Sequence, residues 1–532
     1  MKKETSDKIK ITVKQQKHVT DEAVQSILAS AAVKKYLGKS RYRILATDFF
    51  APDEKEKKYS KCQSNFSDFN RITVYDYTRN CCVFIKIISW KTLTAEITES
   101  AFQPEPTNEE FTEALSIITE KYKHILNGIS EKTVRIYRPM PPTIDVVMPS
   151  GEIQRTIGVG IKSASREIRN EIVGINMITR DIIHYDGGAP GGATALDEAC
   201  GLPDAHQATT SKGTAGQSWI TVTQGGLEIW KLMVIRPSAS SGTKGSGVEL
   251  KYVNYKKKRV LYQAHVPILN VLYDHEACGP YRDWQWEESM FSATGTDKAP
   301  GIRICPTPAQ TILDSENDTG NFKGVALYVQ GQEVVIVSEM EAGWYRYISE
   351  WRLHTNGTIS PRFGFSAVQN SCVCNKHHHH AYWRFDFDIE GPSDNLVEEF
   401  NDPILVGNSN WHKKTYEIKR AKDPARKRKW RITNTTSGSS YEIIPGANDG
   451  VLDSFGVGDL WVLRYHGGNE IDDGVTLTLG TPAQCMAHID SFVNGENVEN
   501  KDVVIWYGAH FTHDIHAHAG HIVGPTLKCV KW

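Results

Sequence analysis

The stretch Asn375-Lys-His-His-His-His-Ala-Tyr-Trp-Arg-Phe-Asp-Phe-Asp-Ile-Glu-Gly391 joins four consecutive histidines to a patterned run. From Arg384 to Ile389, charged and apolar residues alternate one by one. This period of two is typical of a β-strand with one polar face and one apolar face. We therefore predict that the histidines belong to, or lead directly into, a strand.

On such a strand the four histidines divide into two pairs, because side chains two residues apart lie on the same face. Two imidazoles on one face of a rigid strand suit a transition metal, and a solvated histidine cluster is the alternative interpretation. The two pairs are His377 with His379, and His378 with His380.

A second source of imidazoles follows the strand-like run Val503–Tyr507 near the C-terminus. Ligands distant in sequence converge only in the folded state, so two histidine-rich segments favour a metal site. Three neutral imidazoles suit copper or zinc far better than calcium or magnesium. The candidates are His510, His513, His516, His518 and His521.

The composition is that of an ordinary globular protein: 532 residues, 40% hydrophobic and 23% charged, with a formal net charge of -2. A charge near zero does not favour a nucleic-acid partner, and no apolar run is long enough to span a bilayer. The first ten residues lack the apolar segment of a secretory signal, so we expect a cytoplasmic protein with ten reduced cysteines. Cys372 and Cys374 lie just before the histidines and are candidate soft ligands. Without a second cysteine pair, they do not complete the cysteine pattern of a zinc site.

The order of helical and strand-like patterns predicts an α+β protein: two small α+β domains followed by a large all-β sandwich. A helix is predicted over 20–37, and a second starts at Thr107, which is a suitable N-cap. Asp186–Thr194 is glycine-rich and predicts a flexible connection. The predicted divisions are a tail at 1–17, small domains at 18–104 and 105–195, and the β domain at 196–532.

The histidine strand resembles that of the copper amine oxidases, whose metal motif, His-X-His, precedes an Arg-X-Asp strand by a few residues. A gap-free count back from Arg384 identifies His377 and His379 as the metal pair. A count forward from Trp506 identifies His513 as the third ligand, followed by Gly524-Pro-Thr526. The resemblance also covers both small domains, and it implies one copper ion, with His378 and His380 as the competing pair.

Members of that family make a quinone, topaquinone, from a tyrosine near the copper. The matching block here is Glu339-Met-Glu-Ala-Gly-Trp-Tyr-Arg-Tyr-Ile-Ser-Glu-Trp351, in which Tyr345 takes the cofactor position. Two neighbours depart from the family's Asn-Tyr-Asp/Glu pattern. Trp344 replaces the asparagine, and Arg346 replaces the acid; we expect this arginine to place a positive charge beside the cofactor.

The resemblance also implies a catalytic carboxylate shortly after an aromatic residue of the substrate channel. The gap-free match places Ser289 there, and serine cannot take up a proton at neutral pH. Nearby carboxylates can act as the base, especially where burial against tryptophan raises the pKa. Glu288 is the first candidate and Asp283 the second.

The implied activity is oxidation of a small primary amine by molecular oxygen, giving an aldehyde, ammonia and hydrogen peroxide. The family also implies a homodimer formed through the β domain. The alternative is a copper-binding relative that has lost or altered amine oxidation. Such a protein would perform another copper- and oxygen-dependent tailoring reaction or only bind metal.

Overall fold

A computed structural model describes most of the chain. The described residues are 8–15, 21–48, 71–100, 103–104, 106–139, 143, 146–163, 171–184, 200–204, 216–274, 278, 280–466, 470–475, 481–513 and 521–532. Asp186–Thr194, predicted to be a flexible connection, lies outside them, as do His516 and His518.

The longer helices lie in the N-terminal third. They are α1 (Asp21–Leu28), α2 (Ala31–Leu37), α3 (Asn108–Lys121) and α4 (Lys123–Ser130), and two single turns follow later, α5 (Ile312–Ser315) and α6 (Pro482–Cys485). The predicted N-cap is confirmed: the Thr107 side chain accepts from the backbone N–H of Glu110, whose carboxylate accepts from the N–H of Thr107. The first predicted helix is divided in two, because the chain turns at Ala29 and Ser30.

Strands make up most of the regular secondary structure in the described residues. In the first part of the chain they are β1 (Ile9–Gln15), β2 (Tyr42–Asp48), β3 (Arg71–Asp76), β4 (Cys81–Ser89), β5 (Thr94–Ser100), β6 (Val134–Tyr137), β7 (Val146–Val147), β8 (Ile153–Gln154), β9 (Thr156–Ser163), β10 (Glu171–Asn176) and β11 (Ile182–Ile183). The strands from 217 to 367 are β12 (Gln217–Gln224), β13 (Leu227–Ile235), β14 (Glu249–Tyr255), β15 (Lys258–Tyr273), β16 (Pro280–Arg282), β17 (Thr296–Ala299), β18 (Ile302–Ile304), β19 (Val325–Gln330), β20 (Glu333–Ala342), β21 (Tyr345–His354) and β22 (Ile359–Ala367). The remainder are β23 (His377–Phe387), β24 (Asn395–Phe400), β25 (Trp411–Lys414), β26 (Ile418–Arg420), β27 (Lys429–Asn434), β28 (Ser440–Ile444), β29 (Leu460–Arg464), β30 (Val503–His513), β31 (His521–Val523) and β32 (Thr526–Lys531).

Two small antiparallel sheets accompany the helices, in the orders β2-β3-β4-β5 and β11-β10-β9-β6. The buried faces of α3 and α4 share an apolar core with the second sheet, through residues such as Ile117, Ile125 and Val159. The predicted α+β character of the N-terminal part is confirmed.

Two large sheets form the rest of the fold. The first has the order β1-β12-β13-β14-β15-β23-β30-β29-β26, with β16 beside β15. The second has the order β17-β18-β19-β20-β21-β22-β32-β28-β27-β24-β25, with β31 beside β22. One buried cluster combines residues from both sheets, among them Leu250, Leu269, Ile336 and Leu353. The predicted sandwich is confirmed, and the histidine strand β23 is a central strand of the first sheet.

The first strand belongs to this sandwich rather than to a tail. Ile9–Gln15 pairs antiparallel with β12, and Ile11 is buried. Ile9, Ile11 and Val13 alternate with polar residues, so the strand signal was present in the sequence.

Within the described residues, no helix combines the length and the apolar composition needed to cross a bilayer.

Candidate metal centre

Three predicted ligands meet at the ends of two paired strands. His377 lies directly opposite His513 in the register of β23 with β30, and His377 Nε2 lies 3.1 Å from His513 Nδ1. His379, two residues along β23, has its ring centroid 5.0 Å from that of His377. All three are buried, so the strand pairing places three imidazoles together on the face between the two large sheets.

The hydrogen bonds around these histidines favour a neutral, metal-binding form. The Nδ1–H of His377 donates to the carbonyl oxygen of Asn375 at 2.7 Å, which leaves Nε2 as the lone-pair nitrogen. Burial, with a further contribution from His513, lowers the pKa of His377 to about 3. The His379 ring packs against Phe365 and Phe511, whose ring centroids are 4.0 and 5.2 Å away. Three buried imidazoles fit copper, which prefers nitrogen donors.

Tyr345 reaches the same cluster from the opposing sheet. It is fully buried at the start of β21, and its ring centroid lies 5.0 Å from His379 and 5.6 Å from His377. The sequence-based alignment of Tyr345 with the histidines therefore corresponds to physical proximity.

Two further tyrosines complete this cluster, and the sequence analysis missed both. The hydroxyl of Tyr273, at the end of β15, is hydrogen-bonded to the hydroxyl of Tyr345. The hydroxyl of Tyr347 donates to Asp283 and lies 3.4 Å from His379 Nδ1. Tyr347 was detectable, because strand alternation places it on the same face as Tyr345; Tyr273 lies more than seventy residues away and carried no local signal.

The two departures from the family pattern have separate structural roles. Trp344 donates its indole N–H to the Tyr273 hydroxyl at 2.8 Å, so it supports the tyrosine pair. The expectation that Arg346 places a positive charge beside the cofactor position is wrong. Strand alternation turns its side chain to the opposite face, where two nitrogens bind Asp318 at 2.7 and 3.1 Å.

The two candidate bases have different surroundings. Glu288 is held by Arg236, with Nε 2.7 Å from Oε1 and a second contact between Nη2 and Oε2. Asp283 Oδ2 accepts from Tyr347, whereas Oδ1 is buried and has no hydrogen-bond partner among the described residues. Burial raises the pKa of Asp283 to about 7, although the Tyr347 hydrogen bond opposes this. The structure therefore brings Asp283, and not Glu288, to the tyrosine and histidine cluster.

The position aligned with the family's base is also buried. Ser289 donates its backbone N–H to the carbonyl oxygen of Glu339 at 2.9 Å. Serine has no carboxylate and cannot act as the base at this position. Asp283 is the acidic group that contacts Tyr347.

The cysteines next to the histidine strand are disulfide-bonded, so the expectation that all ten are reduced is wrong. Cys372 pairs with Cys278, and Cys374 pairs with Cys200. Both bridges fix the short turn Ser371–Cys374 that leads into β23. Neither thiolate is available as a soft metal ligand.

The competing pair lies on the reverse face of β23. His380 Nδ1 lies 2.9 Å from His510 Nδ1, and His378 Nε2 lies 3.3 Å from Asp274. These imidazoles face away from Tyr345, so the structure separates the two pairs as the alternation predicts.

Residues 317–519 match the family model described as copper amine oxidase, enzyme domain. That segment contains Tyr345 and all three imidazoles of the centre. This part of the chain is similar to the enzyme domain of the copper amine oxidases.

Solved structures of amine oxidases share the fold at low identity. A copper-containing benzylamine oxidase from Hansenula polymorpha has a TM-score of 0.62 at 14% identity, with 96% of each chain covered. Pichia pastoris lysyl oxidase has a TM-score of 0.57 at 11% identity, covering 96% of this chain and 89% of that one. An Aspergillus nidulans amine oxidase has a TM-score of 0.50 at 12% identity, covering 96% and 88%. The chain therefore shares the overall fold of these amine oxidases at low sequence identity.

Proposed function

We propose that this protein oxidises a small primary amine to an aldehyde with molecular oxygen, using copper and topaquinone. One observation carries the proposal: the buried ring of Tyr345 lies 5.0 Å from His379 within a set of three buried imidazoles. Copper held there would support oxidation of the tyrosine, and the resulting quinone would supply the electron sink for amine oxidation.

In this proposal His377, His379 and His513 hold copper, and Tyr345 is the cofactor precursor. Tyr273 and Trp344 orient the precursor through the hydrogen-bond chain that ends at the Tyr345 hydroxyl. A precursor fixed by such bonds reacts from one orientation, which reduces the entropic cost of reaction.

Asp283 is the proposed base that removes the proton from the carbon bearing the amine. Its Oδ1 has no hydrogen-bond partner among the residues that the structure describes, so this oxygen can accept a proton. A pKa of about 7 suits proton transfer at neutral pH. Glu288 is less suitable because Arg236 occupies both of its oxygens.

The test is to load the metal-free protein with copper in air. A visible absorption band should develop, and the peptide bearing Tyr345 should gain oxygen mass; Tyr345→Phe should show neither change. Turnover of benzylamine and of an alkyl diamine, followed as hydrogen peroxide, then tests the reaction. An unmodified Tyr345 peptide after aerobic loading would exclude the quinone mechanism.

The rival function is copper- and oxygen-dependent chemistry without amine turnover. The replacement of the family's base by Ser289 favours it. Quinone formation without any amine oxidation would support this rival.

The family resemblance also leads us to propose a homodimer, which light scattering at micromolar concentration tests.

A further inference from the structure

The reverse face of β23 carries a second set of metal-ligating side chains. His378 and His380 lie on this face, and His380 is directly opposite His510 in the register with β30. The loop before β29 adds Asp453, whose carboxylate lies 3.4 Å from His380 Nε2 and 3.5 Å from His378 Nδ1.

Hydrogen bonds indicate which nitrogen carries the proton in His510 and His380. His510 Nε2 faces two oxygens, the carbonyl of Gly458 at 3.1 Å and Asp459 Oδ1 at 3.2 Å, so this nitrogen is the donor. His510 Nδ1 is then an acceptor, and His380 Nδ1, 2.9 Å away, must donate to it.

This arrangement leaves His380 Nε2 as a lone pair that points towards a carboxylate. The nitrogen is buried in a side chain only 1% exposed, and it has no hydrogen-bond partner among the described residues. The buried nitrogen and the partly exposed carboxylate are both acceptors, and a cation bound to both would stabilise their close approach. Their separation of 3.4 Å suits a bound ion, because tetrahedral zinc ligands at about 2.1 Å from the metal lie roughly 3.4 Å apart.

Backbone hydrogen bonds within the loop hold the Asp453 carboxylate close to His380. Asp453 Oδ1 accepts the backbone N–H groups of Phe455 and Gly456, both at 2.8 Å. A side chain at Gly456 would meet His380 Nδ1 at 3.0 Å and Leu452 at 2.7 Å, so glycine permits the close approach.

An open cavity of about 520 Å³ lies next to these groups. Asp274 and Phe455 line the cavity. Asp274 contacts His378 Nε2 at 3.3 Å, and the Phe455 ring centroid is 5.7 Å from that of His380.

We propose that this face binds a second divalent transition-metal ion, separate from the copper centre. His380 Nε2, His378 and Asp453 are the ligands, and His510 orients His380 through its other ring nitrogen. A histidine whose second nitrogen is hydrogen-bonded in this way is typical of metal sites. Two imidazoles and a carboxylate suit Zn²⁺ or a similar first-row ion. The two centres cannot share one ion, because successive side chains of β23 point to opposite faces.

The test uses Zn²⁺ as the probe and the full chain stripped with a chelator. After saturation and gel filtration, elemental analysis should find two zinc ions per wild-type chain. Asp453→Asn and His380→Gln should each retain one. The double variant His377→Gln/His513→Gln should also retain one, held on the reverse face.

Asp453→Asn is the decisive variant if His380→Gln fails to fold, because the amide oxygen can still accept the two loop N–H groups. The matched control is Asp297→Asn, which neutralises an exposed carboxylate paired with Arg303 and should retain two ions. The proposal is overturned if Asp453→Asn binds as much zinc as the wild type. It is also overturned if the wild type binds one ion only, whichever variant loses it; a proton between His380 and Asp453 would then explain the geometry.

Discussion

The hydroxyl groups of Tyr273 and Tyr345 are hydrogen-bonded to each other beside the imidazoles of the metal centre. Trp344 donates its indole N–H to the Tyr273 oxygen, which leaves the Tyr273 proton available for the hydrogen bond with Tyr345. Burial raises the pKa of Tyr273 well above its usual value, with the neighbouring Tyr345 adding to the effect, so Tyr273 stays protonated. This chain therefore stabilises negative charge that develops on the Tyr345 oxygen.

Removing that donor should slow formation of the quinone. Tyr273→Phe deletes one hydrogen bond to a charged oxygen, worth about 1.5–3 kcal/mol, which corresponds to roughly 10- to 100-fold in rate. The growth of the visible band after copper addition in air measures the rate. Copper content should not change, and an unchanged rate would show that the tyrosine pair has no role in cofactor formation.

The metal centre should depend on residues from both strands. His513→Gln and His379→Gln each remove one imidazole, and the double variant should lose stoichiometric copper. His354→Gln, in a partly exposed histidine whose Nδ1 accepts the backbone N–H of Asn356, is the control and should retain it. Metal analysis after gel filtration gives the result; full copper retention in the double variant would refute the ligand assignment.

The sequence predicted the sandwich and the separation of the two histidine pairs because both depend on a local period of two. Alternation on β23 separates His377 from His378 without any tertiary information. The register of β23 with β30 cannot be obtained that way, although it places His513 opposite His377.

Other features depended on contacts made only in the folded chain. The ion pair between Arg346 and Asp318 cancels the charge that sequence comparison places beside Tyr345. Likewise, Arg236 is more than fifty residues from Glu288, so nothing near Glu288 indicated that it was already paired. The disulfides were missed because the expected reducing compartment argued against them and because their partners, Cys200 and Cys278, are distant in sequence.

Asp283 and Glu288 can be separated by kinetics. Asp283→Asn should lower kcat/KM for a primary amine by about 10²- to 10⁴-fold, the usual contribution of a general base, with copper and quinone unchanged. Glu288→Gln breaks the ion pair with Arg236 and should reduce stability while leaving turnover much closer to normal.

The pH profile provides an independent check on Asp283. Its active form is the carboxylate, and the pKa is about 7, so the wild-type rate should rise as pH increases through 7 and then level off. The residual activity of Asp283→Asn should lack this rise. The same rise in the variant would assign the titration to another group.

The disulfides should stabilise the approach to β23. The Cys278–Cys372 bridge closes a sequence separation of 94 residues, and a bridge of that span contributes about 2–4 kcal/mol to the free energy of unfolding. The double variant Cys278→Ala/Cys372→Ala should unfold at lower urea concentration by a corresponding amount. Cys81→Ala, in a half-buried unbridged cysteine, is the control and should have a much smaller effect.

Glu339 should make stability depend on pH. Burial raises its pKa to about 8, although the backbone N–H of Ile312, the charge of Arg346 and a hydrogen bond with Ser289 all lower it. The unfolded chain releases this proton near the ordinary value of 4.5, so between about 4.5 and 8 the folded state binds more protons than the unfolded state. The contribution of Glu339 to stability is therefore complete below pH 4.5 and is lost as pH rises towards 8, with a limiting slope of about 1.4 kcal/mol per pH unit.

Glu339→Gln keeps an oxygen acceptor for the Ile312 N–H and cannot ionise, so its stability advantage over the wild type should grow from pH 5 to pH 8. Urea unfolding at each pH measures this difference, with Glu333→Gln on the exposed end of β20 as the control; a difference that does not change with pH would mean that Glu339 is already ionised at pH 5.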